Sequence, residues 1–329
     1  MERRTLLGAA GLAALAGVAP RASLAQDAPQ YTIALIPGLT TDAFYITMNR
    51  GAQAAADALG VELVFQGAAD FNPVTQVPVL DAIIARQPDA ILIAPTDTTQ
   101  LVEPLRRAHD AGIPVITVDT FIGNGVYQTG SGDADFPLSY IASDNVLGGR
   151  IAARALAAAI GEGGGQVYVS NVNPGISTTD QREEGFKLEM AENFPSIEVL
   201  ETQFNENDAN NAASQLQAVF ARSPNLKGVF GANLFSAIGA ANGVQQAGQT
   251  GVIKVVAFDA PQSIVDQIKS GLVDMAIAQH PATIGWYGVA SAYAHLTGQA
   301  IPVAIGTGFT VIDAGNVDDP EVAKFIYSE

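Results

Sequence analysis

From residue 31 onward, the chain alternates between short apolar runs and amphipathic stretches that end at glycine or proline. The first apolar run, 31–36, ends at Pro37-Gly38, and a helical pattern over 43–59 then stops at Gly60. Continuous apolar runs separated by helices are typical of parallel strands that are buried on both faces of a sheet. The alternation therefore predicts a doubly wound α/β fold.

The alternation is interrupted once and then restarts, which predicts two lobes. Residues 120–138 are rich in Gly and Asp and are interpreted as a long loop or hairpin. No linker rich in Pro, Gly or Ser separates the two halves, so a short hinge or several crossovers are expected. Further helices are predicted at 77–86, 97–112, 145–160, 180–193, 208–221, 235–247, 262–269 and 282–297, and further strands at 61–65, 90–94, 114–119, 166–172, 197–204, 228–232, 253–258 and 274–279.

Size and charge narrow the class of protein. A chain of 329 residues with 48% hydrophobic and 15% charged residues suits two globular domains. Its formal net charge is −17; without residues 1–25, which hold three Arg and one Glu, 13 basic and 32 acidic side chains leave −19. This balance repels nucleic acid and anionic lipid and favours a soluble monomer. There is no Cys, and His109, His280 and His295 make no metal-binding pattern, so no metal or other cofactor is expected.

The first 25 residues have the features of a twin-arginine-like signal peptide. Arg3-Arg4 precedes an apolar run from Leu6 to Ala19 that is too short to span a bilayer comfortably, and Ser23-Leu24-Ala25 offers small residues for cleavage. Ordinary export signals also have basic starts, and a cytosolic tail or an anchor helix is the alternative. The mature protein is expected to be exported to the periplasm.

Ligands of open parallel sheets bind beyond the carboxyl ends of the strands. The residues that follow the predicted strands are polar, and aromatic residues flank them. They are Thr40–Tyr45, Pro95–Asp97, Asp119-Thr120, Asn171–Asp180, Asn233, Asp259 and Gln279, with Phe44, Tyr45, Phe71, Phe121, Phe235 and Phe258 as the aromatic residues. These positions form the candidate ligand site.

The residue types at these strand ends suit a sugar. Carboxylates and amides satisfy hydroxyl groups, and planar rings cover C–H faces. Basic side chains are few, which argues against phosphate or carboxylate ligands. Catalytic signals are weak, because there is no Gly-x-Ser-x-Gly sequence and Gly161–Gly165 lacks the ending of a phosphate loop. The pairs Asp133/Asp135 and Glu183/Glu184 are interpreted as solvated positions, so the chain is not expected to be an enzyme.

Short sequences spread over the mature chain carry a family resemblance. They are Phe44-Tyr45, Arg50–Gln53, Pro95–Asp97, Pro114–Asp119, Ser143–Gly149, Glu184–Phe186, Phe258-Asp259 and Ala278-Gln279. In this order and spacing they resemble the ribose-binding type of periplasmic sugar-binding protein, the soluble receptor of a carbohydrate ABC importer. The resemblance implies a type I periplasmic binding protein fold, with two doubly wound parallel-sheet lobes joined by a three-strand hinge. The implied lobes are 31–143 with 280–308 and 144–279 with 309–329, and they close on one small neutral sugar or polyol before docking on the permease.

The resemblance also implies which side chains contact the ligand. Asp42, Phe44 and Tyr45 would lie in the binding loop of the first lobe, with the two rings sandwiching the ligand. The alternative for each contact is structural: a helix cap at Asp42, core packing for the rings, and turns or buried hydrogen bonds for the polar groups. The other implied contacts lie at strand ends or at the hinge and are Asp119, Asn233, Phe258, Asp259 and Gln279.

The chain departs from the ribose-type pattern at two positions where that pattern has Arg. They hold Thr120 and Asp180, and both are candidate contacts, as is Gln181. Asp180 with Glu183 also fits a capping box at the start of a helix. Fewer basic donors and more acids favour a pentose, a deoxysugar or a small polyol and disfavour an anionic sugar.

Other functions share parts of this pattern. A sensor of a sugar or of an autoinducer-2-like signal, feeding a chemoreceptor or kinase, uses the same soluble part; Asp180-Gln181 resembles the autoinducer-2 receptors, although their Lys near the first loop is missing. A repressor of the lactose type would need a DNA-binding headpiece where this chain has an export signal. A sugar-modifying enzyme would need an acid–base pair or a metal cluster.

Overall fold

The computed structural model describes residues 31–328, so the predicted signal peptide at 1–25 lies outside the described residues. No helix of the described part is long and apolar enough to cross a membrane. In chain order the elements are β1 (Thr32–Ile36), α1 (Ala43–Leu59), β2 (Glu62–Phe65), α2 (Pro73–Ile84), β3 (Ala90–Ile93), α3 (Val102–Asp110), β4 (Val115–Val118), β5 (Ser139–Ser143), α4 (Asn145–Ile160), β6 (Gly165–Asn171), α5 (Ser177–Asn193), β7 (Ile197–Val199), β8 (Gln203–Phe204), α6 (Ala209–Arg222), β9 (Leu226–Gly231), α7 (Leu234–Gln246), β10 (Lys254–Phe258), α8 (Gln262–Lys269), β11 (Met275–Gln279), α9 (Pro281–Leu296), β12 (Ala304–Thr307), β13 (Phe309–Asp313) and α10 (Pro320–Ala323).

The strands form two sheets, one for each lobe. The first has the order β12-β5-β4-β3-β1-β2, and all of its strands are parallel. The second has the order β13-β11-β10-β9-β6-β7, with β8 also paired to β6, and its strands are parallel except β13, which runs antiparallel to β11. This confirms the predicted fold of two parallel-sheet α/β lobes.

The described chain passes between the two sheets three times. It leaves the first sheet after β5, returns to it between β11 and β12, and crosses again between β12 and β13. Three crossings agree with the hinge that the family resemblance implies. They also bring the carboxyl ends of β4 and β10 towards the same side of the molecule, where the site lies.

Two pairs of helices cross so closely that only glycine fits at the contact. A Cβ atom on Gly51 in α1 would lie 1.9 Å from the backbone oxygen of Ala282 in α9. A Cβ atom on Gly149 in α4 would lie 2.0 Å from the backbone oxygen of Arg182 in α5. Packed interiors do not tolerate such overlaps. These glycines therefore fix the positions of α1 and α5, which both carry side chains into the site.

Most predicted elements are found within a few residues of their expected bounds. α4 spans the range predicted for it, and residues 120–138 form a long loop without a helix or strand. The strands β5, β12 and β13 were not predicted. β12 and β13 are partly exposed edge strands, so they lack the apolar run by which a buried strand is recognised.

Two helices begin four or five residues away from their predicted starts. α2 begins at Pro73, because the side chain of Asn72 accepts a hydrogen bond from the backbone nitrogen of Val74 at 2.8 Å, and Pro78 lies inside the helix. Asp97 does not cap the next helix. It accepts hydrogen bonds from the backbone of Thr99 and Gln100 in a turn, and α3 begins only at Val102.

The predicted capping box at Asp180 is also wrong. α5 begins at Ser177, so Asp180 lies inside the helix and its carboxylate accepts from the backbone nitrogen of Gly175 at 2.8 Å. Glu183 does not reach back to a cap either, since it accepts hydrogen bonds from Asn171 and Lys187. Residues 197–204, predicted as one strand, form the two short strands β7 and β8.

Candidate functional site

The carboxyl ends of both sheets border one cavity of about 420 Å³, including the space at its mouth. Both lobes contribute to its wall, as expected for open parallel sheets. The sequence-predicted contacts that line it are Asp42, Phe44, Tyr45, Asp119, Asn233, Asp259 and Gln279.

Asp42 and the two aromatic residues enter the cavity from the start of α1. Asp42 has an extended backbone, and its Oδ1 accepts a hydrogen bond from the backbone nitrogen of Phe44 at 2.9 Å, which caps the helix. The rings of Phe44 and Tyr45 are nearly perpendicular, at 88°, with their centroids 5.1 Å apart. A sandwich needs two parallel rings with a sugar between them, so the prediction that this pair sandwiches the ligand is wrong.

Asp119 follows β4 and is held by two tyrosines. The hydroxyl of Tyr45 donates to Oδ2 of Asp119 at 2.7 Å, and the hydroxyl of Tyr140 donates to its backbone oxygen at 2.9 Å. The Oδ1 atom has no partner among the described residues. It is therefore available to accept a hydrogen bond from a ligand hydroxyl.

Asp259 follows β10 in the second lobe and forms a pair with Gln279 at the end of β11. The amide of Gln279 donates to Oδ1 of Asp259 at 3.0 Å, and the hydroxyl of Tyr327 donates to the same atom at 2.9 Å. The side-chain oxygen of Gln279 is buried and has no hydrogen-bond partner in the described part of the chain. A buried polar atom without a partner is costly, and a ligand hydroxyl that donates to this oxygen would remove that cost.

Asn233 lines the cavity, but its polar atoms are used within the protein. Its Oδ1 accepts from the backbone nitrogen and hydroxyl of Ser236, which caps α7, and its amide donates to Oδ1 of Asn207 at 2.7 Å. Asn207 also lines the cavity and was not predicted. The side-chain nitrogen of Asn207 has no hydrogen-bond partner among the described residues. Asn207 is therefore a better hydrogen-bond donor to a ligand than Asn233.

Arg182 is the main residue that the sequence analysis missed. It is buried in α5, where Nε donates to Asn145 Oδ1 at 2.8 Å and Nη1 donates to the backbone oxygen of Ala232 at 2.9 Å. Its guanidinium lies 3.9 Å from the ring centroid of Phe258. Thr178, Thr179 and Arg182 all line the cavity, and their helical spacing was the available signal, since residues three and four apart share one face.

Four predicted contacts do not line the cavity. Phe258 is fully buried beneath Arg182, Thr120 is buried beside Asp119, and Asp180 and Gln181 lie on a half-buried part of α5. Phe258 therefore supports the guanidinium rather than the cavity surface. The pKa of Asp180 is raised by burial.

The carboxylates in the cavity are crowded. Burial, and next the charge of Asp259, raises the pKa of Asp42 to about 7. Burial raises the pKa of Asp119 to about 6, although Arg182 and the hydrogen bond from Tyr45 act in the opposite direction. Arg182 is the only cationic side chain among the described residues that line the cavity. An additional anion in this space would meet repulsion.

The rims of the two lobes touch beside the cavity. The backbone nitrogen of Thr98 donates to the backbone oxygen of Gly175 at 3.2 Å, and that of Phe121 donates to the hydroxyl of Ser177 at 3.1 Å. These bonds join strand-end loops of opposite lobes. Hydrogen bonds between the lobes therefore close this rim of the cavity.

The titratable side chains do not assemble into a metal centre. Across residues 31–328, no three His, Asp or Glu side chains are arranged so that they could hold a metal ion. The chemistry that the cavity offers is hydrogen bonding through carboxylates, amides, hydroxyls and one guanidinium, with aromatic and aliphatic surface between them.

Comparison with known proteins covers most of the chain. Residues 33–300 match the profile of the Periplasmic binding protein domain. The ribose import binding protein of Salmonella typhimurium is 32% identical over 301 residues, which cover 92% of this chain and 95% of that protein. The D-ribose/D-allose-binding protein of Pseudomonas aeruginosa is 31% identical, and the match covers 90% of this chain and 92% of that protein.

One solved structure is much more similar. An ABC transporter solute binding protein from Agrobacterium vitis, bound with α-D-tagatopyranose, is 76% identical and superposes with a TM-score of 0.90. The match covers 91% of this chain and 100% of that chain. The fold of this chain thus has a counterpart in a protein that has a sugar bound.

Proposed function

We propose, since this chain belongs to the periplasmic binding protein family, that it captures one neutral monosaccharide between its two lobes and delivers it to an ABC importer. The relatives named above are import and solute-binding proteins rather than enzymes, and this favours transport over a sensor role. The first candidate ligand is a ketohexose in its pyranose form, D-tagatose.

The observation that carries the proposal is the composition of the cavity wall. Asp119 and Asp259 each have one carboxylate oxygen without a described partner, and Gln279 has a buried amide oxygen without one. Sugar hydroxyls donate to such acceptors, and the ring surfaces of Phe44 and Phe71 suit the C–H faces of a sugar. A wall of this kind binds a polyhydroxylated ring through several directed hydrogen bonds.

The charge of the wall favours a neutral ligand. Asp42, Asp119 and Asp259 share the cavity with a single guanidinium, that of Arg182. A sugar acid or sugar phosphate would bring another negative charge into this space, where desolvation makes repulsion strong. The wall is consistent with the ligands named for similar proteins, which are D-tagatose for the relative from Agrobacterium vitis and ribose or allose for more distant ones.

The hinge and lobe assignments belong to the same proposal. We assign residues 31–143 with 280–308 to one lobe and 144–279 with 309–329 to the other, which is supported by the sheet membership of the strands. Residues 1–25 would direct export to the periplasm, where the protein works as a monomer, binds no nucleic acid and docks on the permease. The acidic net charge of −17 supports the expectation about nucleic acid.

The remaining side-chain roles follow from the geometry. Asp42, Phe44, Tyr45, Asp119, Asp259 and Gln279 are the proposed direct contacts, together with Arg182 and Asn207. Thr120, Asp180, Gln181 and Phe258 are not proposed as direct contacts, because other residues form the wall.

Isothermal titration calorimetry on the purified protein tests the proposal. D-Tagatose, D-ribose, D-allose, D-arabinose and D-fucose form the panel, and D-galacturonate is the anionic control. We expect micromolar or tighter binding of D-tagatose with one site per chain, and no measurable binding of D-galacturonate. Absence of binding for every neutral sugar, or tighter binding of the anionic one, would contradict the proposal.

A further inference from the structure

The C-terminal residues return to the cleft and pack against the ligand site of the second lobe. The backbone nitrogen of Tyr327 donates to the backbone oxygen of Ala260 at 2.9 Å, and Ala260 directly follows Asp259 in the chain. The side chain of Tyr327 is 3% exposed. It does not line the cavity, so any effect that it has on a ligand passes through other residues.

The Tyr327 hydroxyl joins two residues that do line the cavity. It donates to Oδ1 of Asp259 at 2.9 Å and accepts from the backbone nitrogen of Gln279 at 2.8 Å. The side-chain amide of Gln279 donates to the same Oδ1 atom at 3.0 Å. With two donors on Oδ1, the Asp259 carboxylate has a fixed orientation, and its Oδ2 atom remains for the ligand.

The same segment also touches the first lobe. The backbone nitrogen of Ser328 donates to the hydroxyl of Thr47 in α1 at 2.7 Å. The ring of Tyr327 meets that of Phe44 edge-on, with centroids 5.9 Å apart. One short segment is therefore in contact with cavity residues of both lobes.

We propose that Tyr327 is a positioning residue of the sugar site, which orients the Asp259 carboxylate for a hydrogen bond to the ligand. This inference rests on the proposed function. Asp119 also accepts a hydrogen bond from a tyrosine, but that residue, Tyr45, itself lines the cavity, whereas Tyr327 does not. Tyr327 acts from behind the wall, and its contribution to affinity is indirect.

The test compares two substitutions that each remove one buried tyrosine hydroxyl. Tyr327→Phe removes the hydroxyl that holds Asp259, whereas Tyr168→Phe removes a buried hydroxyl without a described partner. The Kd for D-tagatose is measured at a temperature at which circular dichroism shows each variant to be folded, so that lower stability alone leaves the Kd unchanged. We expect Tyr327→Phe to raise Kd by about tenfold, the typical effect of losing a hydrogen bond to a charged group, and Tyr168→Phe to leave it unchanged.

A second comparison separates positioning from general packing. Asp259→Gly removes the carboxylate and suits the left-handed backbone at this residue, where φ is 77°. In that background Tyr327→Phe should change Kd by less than about twofold, because the group that Tyr327 orients is gone. A wild-type Kd for Tyr327→Phe, or an equal loss with and without Asp259, would overturn the inference. If the unsubstituted protein binds no neutral sugar, the proposed function itself fails, and the role of Tyr327 fails with it.

Discussion

Asp119 and Asp259 are equivalent residues of the two lobes. Each follows a central strand, has a left-handed backbone with φ of 63° and 77° respectively, and donates its backbone N–H to the neighbouring strand at 2.9 Å. Each also accepts a hydrogen bond from a buried tyrosine hydroxyl. The site therefore contains the same arrangement twice, an aspartate at a strand end that is held by a tyrosine, with one carboxylate on either side of the cavity.

Replacing either aspartate should reduce sugar affinity without unfolding the protein. Asp119→Asn keeps a residue that tolerates the left-handed backbone, but removes a charged acceptor; we expect Kd for D-tagatose to rise by about ten- to a hundredfold. Asp119→Ala should add a loss of about 1 kcal/mol in the free energy of unfolding, because Ala is strained at positive φ. Calorimetry and urea unfolding measure the two effects.

Asp133→Asn is the matched control for that substitution. Asp133 lies on the exposed loop at 120–138, and its side chain is fully solvent-accessible. Its replacement should alter neither Kd nor stability. Equal effects of Asp119→Asn and Asp133→Asn on Kd would argue against a role of Asp119 in the site.

The contribution of Asp42 and Asp119 to the stability of the ligand-free protein should fall as the pH rises from about 4 to 7. The pKa of Asp42 is raised from 3.8 to about 7 and that of Asp119 from 3.8 to about 6, chiefly by burial. Through these two carboxyl groups the folded protein binds more protons than the unfolded chain in this window, so their contribution to stability falls as the pH rises. Other groups add their own dependence, and the contribution of Asp42 is isolated by comparison with Asp42→Asn.

The Asp42→Asn protein should be more stable than the unsubstituted protein at pH 8, with the difference shrinking towards pH 4. Asn retains an oxygen that can accept from the backbone nitrogen of Phe44, so the helix cap is preserved. One unit of raised pKa corresponds to about 1.4 kcal/mol, and we expect a difference above ~1 kcal/mol at pH 8. Urea unfolding at several pH values measures it. A difference that grows towards pH 4 would contradict the assignment.

Removing the Arg182 guanidinium should destabilise the protein and weaken sugar binding. Arg182→Met leaves Asn145 and Ala232 without their donors and the cavity carboxylates without their nearby cation. Loss of one partner from a buried charge network costs roughly 3–5 kcal/mol. The exposed Arg86→Met serves as control and should lie within about 0.5 kcal/mol of the unsubstituted protein in urea unfolding. A stable Arg182→Met protein with unchanged Kd would exclude this role.

A Cβ atom at Gly149 should displace α5 and the cavity residues that it carries. Its position would be 2.0 Å from the backbone oxygen of Arg182, whereas a Cβ at Gly163 meets nothing within 4 Å. We expect Gly149→Ala to lower the free energy of unfolding by about 1–3 kcal/mol and to raise Kd, and Gly163→Ala to do neither. Similar unfolding curves for the two variants would contradict the close packing of α4 and α5.

The parts of the site that were predictable from the sequence are the strand ends. Asp119, Asp259 and Gln279 each follow an apolar run, and parallel strands bring such positions to one edge of the sheet. Arg182 was missed because it lies inside a helix, where its direction depends on how α5 packs on α4. Tyr327 could not be recognised at all, since its contact with Asp259 joins residues that are 68 positions apart without a local pattern.

The fold was predictable from the sequence wherever its strands are buried and parallel. Buried parallel strands leave an apolar signature, whereas the edge strands β12 and β13, whose pairing depends on distant residues, do not. The helix starts at Pro73 and Ser177 depended on cap hydrogen bonds and loop geometry, which propensity alone does not specify.

A crystal structure of the purified protein grown with D-tagatose tests the central claim most directly. We predict one pyranose ring in the cavity, with its hydroxyls about 2.6–3.2 Å from the carboxylate oxygens of both Asp119 and Asp259. An empty cavity at saturating sugar, or a sugar bound outside it, would contradict the account.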